Sequence, residues 1–396
     1  MKNFYDDFQL QREDILARIA QKLELDPTRR EKMEQSYRAV SDWLDKDEGF
    51  FKNKNIDIYA HGSVRIYTTV KPLNNDDFDL DIVMHLNHLY SSYTPQQIYN
   101  ELIRRLKENE KYSQMLEQKN RCARLNYAGN FHMDILPGCL ITVINPNKLH
   151  VPDKKLSNWT PTDPKDYSEW FLERANSVVS PILEGYFKKA FSEGLMLKAE
   201  TEDLPDESFY TKKPLQRAVQ LIKRRRDIYF ENITEYRTSS IILTTLAAQL
   251  YSGEDTIYGT IDNILNKIIS SLNGQSRLKV LNPIMPEEDF SEKWDEEPKL
   301  YEYFKKFVAD FYNHWQTLKQ DLSKSAETYD LLFGAKESIY KDVLIKQTRL
   351  FSKISDNKLI KSSGILLSGS AMTDVYGNIN NERGIQNEKH RDFGDI

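Results

Sequence analysis

The run Asp77-Phe78-Asp79-Leu80-Asp81-Ile82-Val83 alternates acidic and large apolar side chains, residue by residue. Alternate side chains of a strand share a face, so the spacing predicts a β-strand over residues 78–86. Phe78, Leu80 and Ile82 then enter a core while Asp79 and Asp81 project together on the other side. Two neighbouring carboxylates repel and raise each other's pKa unless a cation holds them. A divalent ion with oxygen ligands does this well, and Mg²⁺ in particular binds through one or two carboxylates while substrate phosphates complete its shell. Acid-x-acid triplets are common, however. With 60 Asp and Glu in 396 residues, roughly nine arise by chance, so the pair needs company before it means a site.

That company stands on both sides. Upstream, the strand-like alternation of residues 56–60 stops at His61-Gly62-Ser63. A Gly-Ser where a strand turns into a helix exposes backbone N–H groups and a hydroxyl that suit a phosphate, although the same dipeptide also serves as a plain turn. Downstream, Asp134 stands in the apolar run Phe131-His132-Met133-Asp134-Ile135-Leu136-Pro137, a second buried strand in which an acid is costly unless paired. Two pairings stay open: a metal shared with Asp79 and Asp81, as in a two-metal phosphoryl-transfer site, or a salt bridge with an arginine such as Arg124. His85 and His88 would fall on opposite faces of their strand, which argues against a metal pair. No Walker-type Gly-rich loop, His-Glu-x-x-His or Gly-x-Ser-x-Gly motif is present, which removes the common rivals.

Residues 8–50 carry apolar positions at helical spacing (Ile15, Ile19, Leu23; then Met33, Tyr37, Val40, Trp43, Leu44) and predict two amphipathic helices. A helix is expected over 95–116 and strands within 123–145, giving an α/β lobe. Residues 145–165, rich in Pro, Asn, Lys and Asp, read as a long connecting loop holding the domain boundary. Helical patterns follow over 167–191, 214–230, 239–251, 257–272 and 300–322. The five glycines of 364–396 suggest a tail or a strap over the body. The expected organisation is therefore α+β and bilobed: N-terminal helices across the lobes (1–50), a catalytic core with a mixed sheet flanked by helices (51–160), a helical lobe (161–363) and the C-terminal strap (364–396).

A chain that is 39% hydrophobic and 29% charged has the composition of a folded soluble protein. A net charge of −5 gives no global reason for tight binding to a nucleic-acid duplex, so small anionic ligands are the simpler expectation. Cys122 and Cys139 fit neither a zinc ribbon nor a disulfide framework. The N-terminal residues lack a signal layout, and no apolar run approaches a membrane span, so a cytoplasmic, membrane-independent protein is expected.

As an ordered set, His61-Gly62-Ser63, Thr69-Val70-Lys71-Pro72, the acid strand, Phe131-His132-Met133-Asp134 and Trp159-Thr160-Pro161-Thr162-Asp163-Pro164 resemble the DNA polymerase β-like nucleotidyltransferases. The stretch 217–224, followed by 239–246, looks like that superfamily's central helix and the start of the next. Within it the match is to the CD-NTases, bacterial relatives of cyclic GMP-AMP synthase and 2′-5′ oligoadenylate synthase, and it covers about residues 50–250. The resemblance implies that Asp79, Asp81 and Asp134 hold two Mg²⁺ (or Mn²⁺) ions, Asp134 also helping to deprotonate the attacking ribose hydroxyl. It implies that Gly62, Ser63, Lys223 and Ser240 hold the triphosphate, with Ser239 a close competitor. A cleft-facing Lys223 would neutralise phosphate, although only some of Lys223-Arg224-Arg225-Arg226 can face one way and a basic run is more often a solvated face.

The implied activity is condensation of NTPs (ATP, GTP or pyrimidine NTPs) into a cyclic di- or trinucleotide, with release of pyrophosphate. The product would be a signal read by a downstream effector during phage infection. No cysteine-rich insert matches the zinc thumb of the animal DNA sensor, so DNA is not implied as activator. The C-terminal Phe393-Gly394-Asp395-Ile396 lacks the terminal glycine or alanine that some relatives use for conjugation. The residues leave two alternatives, a linear transferase acting on RNA or a protein and a nucleotide-binding regulator that has lost catalysis. They do not reveal the bases, the linkage or the ring size.

Overall fold

The structure, a computed structural model, describes residues 7–73, 77–127, 129, 131–153, 155–178, 180, 212–274, 276–320 and 325–334, with three two-residue strands beyond. The residues of the expected C-terminal strap otherwise lie outside that description.

Two helices open the chain, α1 (Asp7–Lys22) and α2 (Pro27–Asp45). The start of α2 is written in its sequence: Asp26 accepts a hydrogen bond from Arg29 N, and Pro27 occupies the first turn, where its missing N–H costs nothing. The chain then enters β1 (Ile56–Ala60), the single turn α3 (Gly62–Arg65) and the long strand β2 (Phe78–Leu89). Helices α4 (Pro95–Lys107) and α5 (Glu110–Met115) lead into β3 (Leu116–Gln118), β4 (Ala123–Tyr127) and β5 (Phe131–Leu140). The single helix expected over 95–116 is thus two, because Asn109 caps a fresh start by accepting from Tyr112 N at 3.2 Å.

The sheet is mixed, ordered β1-β2-β5-β4-β3. Its centre is the parallel pair β2–β5, and the other pairings are antiparallel. Residues 145–165 do not form a loop. They supply β6 (Leu149–Pro152) and β7 (Trp159–Thr162), a hairpin that adds to the far end of β5 through Cys139↔His150 and Leu140↔Leu149. Buried Leu149 and Val151 carry the period-2 signal there, outnumbered by polar and proline neighbours.

Beyond β7 the described residues up to 334 are mainly helical, with α6 (Pro164–Asn176), α7 (Pro214–Tyr229), α8 (Ser240–Leu250), α9 (Ile257–Leu272) and α10 (Pro298–Gln320). The helix expected to run to 191 stops at Asn176, and 181–191 lie outside the described residues.

Two apolar cores result. In one, Leu80, Ile82, Met84, Met133 and Ile135 from the sheet meet Val40 and Leu44 of α2 and Ile98 and Leu102 of α4. Burying each such side chain contributes about 1.5–3 kcal/mol. In the other, Leu16 and Ile19 of α1 pack with α7, α8, α9 and α10. The two N-terminal helices therefore serve different cores, which ties the chain's beginning to both.

Glu13 of α1 is 1% exposed and accepts from Ile257 N at 2.6 Å and Tyr258 N at 3.1 Å, the open donors at the start of α9. Burial nevertheless pushes its carboxyl up to about 7, against the two backbone hydrogen bonds. A folded-state pKa above the ordinary 4.5 means that stability is fully present below pH 4.5 and is lost as pH rises through 7. Chemical denaturation from pH 4 to pH 8 should show wild type losing about 1–3 kcal/mol relative to Glu13→Gln. A pH-independent difference between the two proteins would show that Glu13 does not titrate in that window.

Candidate active site

The alternation in β2 does what its spacing predicts. Phe78, Leu80, Ile82, Met84 and Leu86 enter the sheet's apolar core, so Asp79 and Asp81 share the opposite face. The parallel register sets Asp81 beside Asp134 and Asp79 beside His132. All three acids therefore meet on one face of two adjacent strands. Asp79 and Asp81 line a cleft of about 700 Å³ whose wall also includes Gly62, Ser63, Lys223, Ser239 and Ser240.

Both pairings considered for Asp134 bear on this geometry. Arg124, its register partner on β4, grips it with two hydrogen bonds, Nε to Oδ1 at 2.6 Å and Nη2 to Oδ2 at 2.7 Å, and reaches Asp79 Oδ1 at 3.4 Å. A bidentate guanidinium on a carboxylate is a strong, oriented pair. It leaves Asp134 turned toward Arg124, and among the described residues no three His, Cys, Asp or Glu side chains are gathered as a ready metal cage. Asp81 shows the opposite condition. Burial, then the charges of Asp79 and Asp134, push its carboxyl up to about 7, and Lys223 and Arg124 only partly offset them. Asp79, its side chain 60% exposed to the cleft, is raised in the same direction by partial loss of water there, against the pull of Arg124. This acid set is short of positive charge, the condition that a dication relieves.

Gly62 stands against Asp81 for a steric reason. Its φ is +62°, and a Cβ there would lie 2.7 Å from Asp81 Oδ2. His61 N donates to Asp81 O at 2.9 Å, which fixes the approach. Ser63 follows in α3, its carbonyl accepting from Thr68 N at 2.9 Å. Thr68 in turn receives Lys223, whose Nζ donates to Thr68 Oγ1 at 2.9 Å and Thr68 O at 3.2 Å. The Gly-Ser turn and the central helix are thereby joined at the cleft.

The basic block of α7 is not a solvated face. Lys223, Arg224 and Arg225 are buried. Arg224 donates to Lys71 O at 2.6 Å, Arg225 to Leu331 O at 3.1 Å and to Asp310, and Arg226 pairs with Asp227. Of the four, Lys223 and Arg226 line the cleft. Ser239 is the N-cap residue of α8 and Ser240 its first helical residue. His85 is buried and His88 partly exposed on β2, and neither lines the cleft.

Three further residues in the cleft wall, Arg121, Asn282 and Glu288, escaped sequence reasoning, and Thr162 and Asp163 beside them entered it only within the segment 159–164, without a site role. Asp163 caps α6 by accepting from Asp166 N at 3.1 Å, and burial pushes its carboxyl up to about 7. Besides its place in that segment, its Asp-Pro helix-start signature marks it in the sequence. His61 also lines the wall, its imidazole held neutral by burial and by Arg121, with its pKa lowered to about 4.

Comparison with known proteins places this arrangement. The Second Messenger Oligonucleotide or Dinucleotide Synthetase (SMODS) domain matches residues 11–175. A c-di-GMP synthase of Roseivirga ehrenbergii is 40% identical over 364 residues, covering 91% of this chain and 92% of that protein. The chain belongs to the CD-NTase family. The cyclic dinucleotide synthase CdnG of Bradyrhizobium diazoefficiens is a more distant relative, 25% identical over 71% of this chain and 70% of that one. Its solved structure in complex with GTP shares the fold of this CD-NTase at a TM-score of 0.67 and 20% identity, covering 85% of this chain and 97% of that one. The expected fold, a mixed sheet flanked by helices with a mostly helical second part, is the one observed. Cyclic dinucleotide synthesis is the chemistry of this family's site, and among the described residues of this CD-NTase no helix is long and apolar enough to cross a membrane.

Proposed function

We propose that this CD-NTase condenses GTP, alone or with a second NTP, into a cyclic dinucleotide, as a signal in bacterial defence. The observation that carries the reading is the register of β2 and β5, which sets Asp134 beside Asp81, itself in the cleft wall, with Asp79 one step along. GTP is favoured by the relatives, a c-di-GMP synthase and a CdnG structure in complex with GTP.

In this reading Asp79, Asp81 and Asp134 are the ligands for two Mg²⁺ or Mn²⁺ ions, which when bound supply the positive charge that steadies the attacking and leaving oxygens. The donor set fits, since Asp81 is crowded by two like charges in a buried setting. Asp134 serves it by exchanging part of its grip on Arg124. Lys223, anchored on Thr68, places its charge at the triphosphate beside the Gly62-Ser63 turn, with Ser239 and Ser240 as further donors at the start of α8. A ribose hydroxyl then attacks the α-phosphorus of the bound NTP. The new P–O bond forms as the bond to pyrophosphate breaks, and the hydroxyl proton passes to Asp134. A second such step joins the remaining ends and releases a second pyrophosphate.

The test is product identity. Incubation with an equal mixture of the four NTPs and Mg²⁺ should give a phosphatase-resistant product with the mass of a cyclic dinucleotide containing guanine. A linear, phosphatase-sensitive product, or no pyrophosphate release, would overturn the reading.

A further inference from the structure

One carboxylate in the cleft has no part in phosphoryl transfer. Glu288 lies in the segment after α9, half-buried, and both its oxygens are already positioned. Thr162 Oγ1, at the end of β7, donates to them at 3.2 and 3.3 Å, and Asn282 Nδ2 donates to Oε2 at 2.8 Å. Asn282 is itself buried, and its Oδ1 accepts from Ile284 N at 3.0 Å, which fixes the amide with Nδ2 toward Glu288.

The unspent hydrogen-bonding capacity of this group forms a pattern. Thr162 has a single hydroxyl proton, and with it on Oε1, the nearer oxygen, each carboxylate oxygen of Glu288 has filled one of its two lone-pair sites and can still accept once, while Nδ2 of Asn282 keeps one N–H to donate. The set therefore offers two acceptors and a donor. Guanine is the base whose Watson–Crick edge answers it, with N2–H and N1–H as adjacent donors and O6 as acceptor. Adenine sets the N1 lone pair next to its one donor, uracil has an acceptor on either side of N3–H, and cytosine follows one donor with two acceptors. Each of these aims a lone pair at Glu288 or leaves it desolvated without a partner, and such mismatches are how a polar site rejects a wrong substrate. Phe290 and Tyr167, edge to face at 5.8 Å, line the same cleft and supply ring surface for a purine.

We propose that Glu288, positioned by Thr162 and Asn282, reads the Watson–Crick edge of guanine in the substrate nucleotide. The assignment rests on the GTP reading given above. A vicinal ribose diol could also donate twice to a carboxylate, so the test must involve the base. ITP keeps N1–H and O6 but lacks the 2-amino group, and its comparison with GTP isolates the bond from N2–H.

The experiment measures kcat/KM for pyrophosphate release, and dissociation constants, for GTP and ITP with wild type and Glu288→Gln. Wild type should prefer GTP over ITP by about 10- to 100-fold, the worth of one charge-assisted hydrogen bond. Glu288→Gln, which keeps the side-chain shape and a carbonyl acceptor for Thr162 or Asn282, should lower that preference at least about tenfold, mainly through KM. A wild type that uses ITP as well as GTP overturns the assignment without any variant. An unchanged GTP-to-ITP ratio in a folded Glu288→Gln also overturns it, because a purely structural Glu288 would change both substrates alike. In either case a guanine-containing wild-type product leaves the proposed function standing, whereas a product without guanine overturns both.

Discussion

With Asp79 and Asp81 both replaced by asparagine, pyrophosphate release from NTPs should fall by about 10³-fold or more while the protein stays folded. The two halves of that result have separate physical grounds. Asparagine keeps the shape and apolar contacts of each strand position but removes the negative charge that the proposed metals need. The acids are also uncomfortable as they stand: Asp81 is raised to about 7 by burial and by the charges of Asp79 and Asp134, and Asp79, though more exposed, is raised as well by the loss of water in the cleft and by Asp134. Neutral side chains relieve that cost, so the melting temperature should equal or exceed that of wild type, the usual exchange of stability for activity at a strained site. Chelation with EDTA should reproduce the loss in wild type, and added Mg²⁺ or Mn²⁺ should restore wild type but not the variant. Full turnover by the variant would remove the acid pair from the chemistry. A large fall in melting temperature would instead mark the pair as structural.

The centre of this site was legible in the sequence because it depends on a local period. Asp79 and Asp81 share a face as soon as residues 78–86 form a strand, and Gly62-Ser63 ends a strand at a recognisable turn. Asp134 was legible only as a costly acid in an apolar run. Whether it meets Asp81 depends on which strands pair and in what register, which no local pattern encodes. The hairpin of β6 and β7 was hidden by Pro152 and Pro161, residues that weaken a strand signal even though sheet edges tolerate them. The basic block of α7 misled for a similar reason. Arg224 donates to Lys71 and Arg225 to Asp310 and Leu331, partners far along the chain, so tertiary contacts bury what composition marks as solvated. Thr162 and Glu288 stand 126 positions apart, and their meeting was invisible until the helical part folded back onto the end of β7.

Gly62→Ala should lower kcat by about 10²-fold, the usual cost of misplacing a reacting group by about 1 Å. Two effects act at once. At a φ of +62° a residue with a Cβ costs about 1–2 kcal/mol in backbone strain. In addition, the new methyl would stand 2.7 Å from Asp81 Oδ2, so either the turn or the carboxylate must shift. The carboxylate belongs to a long central strand with partners on both sides, while the turn carries Ser63, and through Thr68 it meets Lys223. Whichever yields, the acid and the proposed phosphate grip move relative to each other. Gly129 separates the two effects, because its φ is +71° but a Cβ there would meet nothing within 4 Å. Gly129→Ala should therefore lose a comparable amount of stability and keep its turnover. If both variants lose activity alike, backbone strain is the cause and the contact between Gly62 and Asp81 is incidental. If only Gly62→Ala loses it, and a shift in the midpoint for Mg²⁺ accompanies the loss, the glycine is present to let the turn reach Asp81 as a proposed metal ligand.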